Sequence, residues 1–269
     1  NIAIGRNALD GPDTENDNLA IGYNALGGVI AGGEFNVAIG NYSMDALTSG
    51  DKNTGIGYNA LTALSTGSWN TAVGYEAGKD MTTGADNTAI GLGSGLAITT
   101  GSRNIAIGGV ALDAADAEND NLAIGYAALG GAINGGEYNV AIGNYSLDAI
   151  TSGDDNIALG YKAMTDMTTG SYNIAIGFEA MENATTPGSN VAIGHQSLYG
   201  ATDGTVMSGW SNTAVGYQSL YTNTSGGWNV AFGHSALKLN TTGYDNTSIG
   251  EYSMLYNTTG ENNVAVGSY

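Results

Sequence analysis

The feature that most constrains this chain is a short repeat. A glycine closes an apolar tripeptide sixteen times, at Gly5, Gly22, Gly40, Gly57, Gly74, Gly91, Gly108, Gly125, Gly143, Gly160, Gly177, Gly194, Gly216, Gly233, Gly250 and Gly267. The step is 17 residues twelve times, 18 twice and 22 once. Asn stands four residues before every one of these glycines, and Ala two before it in 14 of the sixteen copies. Each copy is too small to bury an apolar face by itself, so copies must stack, one coil on the next. The residues flanking Ala are β-branched in most copies, which is strand period two. Gly and Asn supply the left-handed backbone that sharp corners need. The expected fold is therefore all-β: a parallel β-solenoid, or β-roll, of about sixteen 17-residue coils.

Stacking in register sets each Asn over another. Asn18, Asn36, Asn53, Asn70, Asn87, Asn104 and Asn121 are expected to form a ladder of side-chain amide hydrogen bonds. The Ala row carries the expectation about assembly. One strand face reads as Ile, Val, Leu or Thr and the other as Ala, so neither face looks wet. Because Ala permits close approach, Ala38, Ala72, Ala106 and Ala141 are expected to be buried, at a contact with another copy or against the opposite coil wall. A thin coil gains burial by self-association.

Composition narrows the function. Glycine accounts for 44 of 269 residues and proline for two, a balance that favours frequent turns over collagen or a flexible linker. Six basic against 25 acidic residues give a net charge of −19. That surface repels phosphate backbones and anionic headgroups, so nucleic acid is not an expected partner. No apolar run reaches 18 residues, so no membrane insertion is expected in this segment. Cysteine is absent.

The unit "NTAVGYEAGKDMTTGADNTAIG" (70–91) and its counterpart "NTAVGYQSLYTNTSGGWNVAFG" (212–233) resemble the repeats of phage tail-fibre proteins, especially those ending in an endosialidase-type chaperone domain. The core "NxAIGxxA/S" also resembles the head repeats of YadA-type trimeric autotransporter adhesins. The adhesin resemblance implies a left-handed coil assembled as a homotrimer, although the period there is shorter. A longer period runs above the coils: "NIAIGRNALDGPDTENDNLAIG" (1–22) matches "NIAIGGVALDAADAENDNLAIG" (104–125), six coils on. The expected organisation is a block over 1–103, its duplicate over 104–206, and further coils over 207–269, all in one shaft excerpted from a longer fibre.

No catalytic constellation is visible, and no enzyme activity is expected. His195 and His234 occupy a slot elsewhere filled by Tyr or Phe, as at Tyr23, Tyr58, Tyr75 and Phe178, which reads as structural. Two loops carry clustered carboxylates, Asp10, Asp13, Glu15 and Asp17 in the first coil and Asp113, Asp116, Glu118 and Asp120 in the seventh. Calcium takes oxygen ligands of this kind. The spacing is not that of an EF-hand, and a solvated acidic loop is the competing reading. No other cofactor is implied.

Aromatic residues precede the coil Asn at Phe35, Trp69, Tyr138, Tyr172 and Trp228. They could stack on sugars or merely shield a strand edge, and the same slot accepts Asp17, Lys52, Asp86 and Arg103. The one enlarged coil inserts residues around Tyr199 and Trp210, a possible binding loop. Adjacent Thr pairs do not give the TxT spacing of a flat ice-binding array. The function these features suggest is a structural shaft, extracellular or on a virion surface, that holds a receptor-binding tip away from its base. The alternative is an adhesin whose lateral surface itself binds host glycans, a receptor or matrix.

Overall fold

The computed structural model describes residues 1–11, 16–200 and 207–269. The expected all-β solenoid is what the chain forms, with sixteen three-residue strands and no helix among the described residues. Two compact units divide at Gly135 and Gly136. The first unit holds β1 (Ile2–Ile4), β2 (Leu19–Ile21), β3 (Val37–Ile39), β4 (Thr54–Ile56), β5 (Thr71–Val73), β6 (Thr88–Ile90), β7 (Ile105–Ile107) and β8 (Leu122–Ile124). The second holds β9 (Val140–Ile142), β10 (Ile157–Leu159), β11 (Ile174–Ile176), β12 (Val191–Ile193), β13 (Thr213–Val215), β14 (Val230–Phe232), β15 (Thr247–Ile249) and β16 (Val264–Val266). Within each unit consecutive strands pair in parallel and in strict register, as Ala72 does with Ala89 and Ala158 with Ala175.

Three-residue strands alone would be a weak sheet. The ladder continues around the coil instead. Asn59 N–H donates to Asn41 O at 3.1 Å, Leu61 N–H to Ala77 O at 3.0 Å and Ala63 N–H to Lys79 O at 3.0 Å. The turns are thereby hydrogen-bonded from coil to coil as the strands are, which answers the need to satisfy nearly every buried backbone group. The first hydroxyl of the pairs at Thr82, Thr99, Thr168 and Thr241 joins this ladder, as Thr82 Oγ1 does by donating to Thr99 O at 3.0 Å.

The corners are tighter than sequence propensity suggests. Gly74 has φ +145°, and a Cβ there would lie 2.7 Å from the carbonyl carbon of Gly91 in the next coil. Three further positions per coil are left-handed without being glycine: two and four residues after the corner glycine, and one before the coil Asn. Asn59, Leu61 and Trp69 have φ of 55°, 53° and 67°. Left-handed backbone costs a non-glycine residue about 1–2 kcal/mol. At Leu61 full burial of the side chain, worth roughly 1.5–3 kcal/mol, offsets that cost. Gly78 and Gly95, which break the Leu/Met row, sit at the same position with φ +57° and carry no such strain.

The coil interior is built from that Leu/Met row (Leu26, Met44, Leu61, Leu112, Leu147), from Leu47, Leu64, Met81 and Ile98 three residues on, and from the strand alanines. This decides the question of faces. Ala38, Ala72, Ala106 and Ala141 are fully buried inside their own coil, so the contact offered to another copy is not theirs. A coil filled by Leu and Met from its turns leaves space for only a methyl on the strand wall. The β-branched neighbours point outward, and Ile90, Ile105, Ile142, Ile157, Ile176, Ile193 and Ile249 are each 36–39% exposed. The apolar outer face, not the Ala row, is what remains unburied.

Candidate functional site

The expected Asn ladder is present. Asn18, Asn36, Asn53, Asn70, Asn87, Asn104 and Asn121 are all buried. Asn70 Nδ2 donates to Asn53 Oδ1 at 3.1 Å and to Gly84 O at 2.8 Å, while its own Oδ1 accepts from Asn87 N–H at 3.0 Å. Each Asn thus fastens one coil to the next and closes the second corner. Sequence reasoning missed a shorter second ladder, in which Asn240 Nδ2 donates to Asn223 Oδ1 at 3.0 Å. Its signal was the replacement of core Leu or Met by Asn at one row in successive coils.

Only part of the acidic loops falls within the described residues. Asp13 and Glu15 lie outside the described residues, and Asp10 and Asp17 are exposed. Glu118 is buried, and its carboxylate accepts from Asp116 N–H and Ala117 N–H at 2.9 and 3.0 Å and from Gly135 N–H at 2.9 Å. Asp116 accepts from Thr99 Oγ1. Asp120 forms a two-pronged pair with Arg103, both bonds at 2.7 Å, which holds its carboxyl below the usual carboxylate range. Asp113 also belongs to this loop and is half-buried. No group of three potential metal ligands converges among the described residues.

The row after the corner glycine is a stack of rings. In the second unit Tyr161, Phe178, His195, Tyr217 and His234 follow one another at centroid distances of 5.0–5.3 Å and interplanar angles of 7–23°. Both histidines stand inside this stack, as their shared slot suggested. Parallel rings spend their faces on each other and turn edges to solvent, so within these five rings the faces are already used.

The outer-corner aromatics differ. Phe35, Trp69, Tyr138, Tyr172 and Trp228 are between 49% and 65% exposed. Lys52 Nζ lies 4.3 Å from the Trp69 ring centroid and occupies that face. The two residues expected in the enlarged-coil loop have separate surroundings. Tyr199 is half-buried and stacks on Tyr221 at 5.0 Å, and burial and then the charge of Glu182 push its hydroxyl pKa up. Trp210 is exposed and borders a cleft of about 540 Å³ with Thr169, Gly170, Ser171, Tyr172 and Thr186.

Beside Tyr199 runs a polar chain: Gln196 Nε2 donates to Glu179 Oε2 at 2.8 Å, Gln218 Nε2 to Gln196 Oε1 at 2.7 Å and Lys238 Nζ to Gln218 Oε1 at 2.7 Å. It links four coils. No protein-family profile matches the chain, and no curated protein matches it. Among the described residues the solenoid offers a hydrogen-bonded interior ladder, an apolar outer strand face, and an aromatic cleft beside Trp210.

Proposed function

We propose that this chain is a stretch of structural shaft in an attachment fibre, resembling a phage tail fibre, that assembles as a homotrimer and spaces a receptor-binding tip from its base. The observation that carries this reading is the outward strand face. In the second unit the outward Ile142, Ile157, Ile176, Ile193 and Ile249 each stay 36–39% exposed and form one apolar face, the kind of surface from which a standard stable interface draws roughly 800 Å² on each partner. Contiguous apolar patches beyond a few hundred Å² mark interaction surfaces. An identical row of side chains on another copy is the partner of matching length and shape, and the resemblance to trimeric adhesin heads supports three copies. An extracellular or virion location follows from that use. Within each unit the coils are tied to their neighbours by backbone and Asn bonds, which suits a load-bearing spacer.

Sedimentation velocity on the wild type and on Ile90→Asp/Ile107→Asp tests this. The wild type should sediment as an oligomer and the variant as a folded monomer. An oligomer indifferent to both charges would remove the outward face from the account.

A further inference from the structure

Trp210 stands at a row position, two residues before the coil Asn, that other coils fill with small or polar residues such as Ser68, Ser102, Asp154 and Ser171. The two coils on either side carry glycine there, Gly188 and Gly227. Gly188 is what seats the indole: a Cβ on it would stand 2.8–3.2 Å from Cζ3, Cε3 and Cη2 of Trp210, so the ring lies directly against the Gly188 backbone. A Cβ on Gly227 would lie 2.9 Å from Trp210 O. The segment is fixed on both sides, by Trp228 N–H donating to Trp210 O at 3.0 Å and Ser211 N–H donating to Gly188 O at 3.1 Å. Although seated, the ring keeps 55% exposure, and Tyr172 across the cleft keeps 65%.

We propose that the cleft between Tyr172 and Trp210 binds a neutral oligosaccharide of two or three sugar units. The C–H-rich face of a pyranose is complementary to the electron-rich face of an aromatic ring. Unlike the stacked Tyr–His row, and unlike Trp69 beneath Lys52, Trp210 rests on backbone and offers a ring face to solvent. The remaining lining, Thr169, Ser171 and Thr186, supplies hydroxyls that both donate and accept, as sugar hydroxyls require. About 540 Å³ falls within the usual range for small-ligand sites. Charge selects among saccharides. Among the described residues no ionic side chain lines the cleft, and a chain of net charge −19 opposes acidic sugars.

Isothermal titration of the intact chain with chitotriose, cellotriose, maltotriose and laminaritriose, with sialyllactose as the acidic comparison, tests the assignment. At least one neutral trisaccharide should bind with a Kd of about 1 mM or tighter. Trp210→Ala and Tyr172→Ala should each weaken it tenfold or more, and Trp69→Ala should not change it. Gly188→Val retains the indole but lifts it from its seat, and should weaken binding as much as its removal does. This second route keeps the test decisive if Trp210→Ala alters the coil. The proposal is overturned if none of the four binds, if binding survives both Trp210→Ala and Gly188→Val, or if sialyllactose binds as well as the neutral sugars.

Discussion

Removing one rung of the Asn ladder should cost more than any surface change and should be felt locally. Asn70→Ala deletes four side-chain bonds: two donated by Nδ2, to Asn53 Oδ1 and Gly84 O, and two accepted by Oδ1, from Asn87 N–H and Asn87 Nδ2. Asn70 is fully buried, so water cannot readily replace them. The backbone groups of Gly84 and Asn87 each lose this partner, at ~1–3 kcal/mol per stranded buried group, and the expected total is about 4 kcal/mol. Asn70→Asp keeps an acceptor for Asn87 but sets a carboxylate against Asn53 Oδ1 and Gly84 O. It should therefore be worse than Ala at neutral pH and recover in part once protonated. Because each coil touches mainly its neighbours, hydrogen exchange should speed up around β4, β5 and β6 before the rest of the first unit responds. Urea denaturation supplies the overall loss. A loss below about 1 kcal/mol, or an Asp variant as stable as the Ala variant, would refute the claim that these amides fasten the coils.

Other outcomes follow from the corners and from charge. Gly74→Ala forces a Cβ onto the Gly91 carbonyl and should cost at least ~2 kcal/mol in a thermal or urea melt. Tyr138→Gly, at an exposed left-handed position with φ 59°, relieves about 1–2 kcal/mol of strain and returns 0.5–1 kcal/mol as unfolded-chain entropy, so the melt should rise slightly or hold. Asp45, Asp148 and Asp166 have carboxyl pKa values raised by burial. Since the folded value exceeds the unfolded one near 3.9, their stabilising effect is complete below that pH and is lost as pH rises through the folded value. The melting temperature should thus increase on acidifying from pH 7 towards the upper carboxylate range, and Asp148→Asn should flatten the rise.

The period, the strand positions and the Asn ladder were legible because each depends on one residue type recurring at one row. The direction of the strand faces was not. An Ala/β-branched alternation fixes period two but leaves the sign open, and apolar Ile reads as interior by habit. The deciding residues stand outside the strand: Leu61 and Leu64, arriving from the turns, fill the coil and leave only methyl-sized space at Ala72. The left-handed turns were hidden for another reason. Leu61, Met164 and Trp69 are poor candidates for positive φ, and tertiary effects hold them there: inter-coil hydrogen bonds at all three, joined by burial at Leu61 and Met164. The Trp210 seat leaves a readable trace, since Gly188 and Gly227 flank it at the same row. That trace appears only when the enlarged coil is aligned from its Asn.

The most direct test of the account uses the absence of cysteine from the chain. Single cysteines at Ala89 and Ile90, adjacent residues of β6, report opposite strand faces, 1% and 38% exposed respectively. Maleimide labelling of each variant would be followed across a dilution series, with assembly state monitored by native mass spectrometry. Ala89→Cys should resist labelling at every concentration. Ile90→Cys should react in dilute monomer and become protected as a species of about 81 kDa forms, three times the 27.1 kDa chain. Faster labelling at position 89 than at 90 would contradict the assignment of faces, and labelling at 90 that never falls with concentration would contradict the fibre interface.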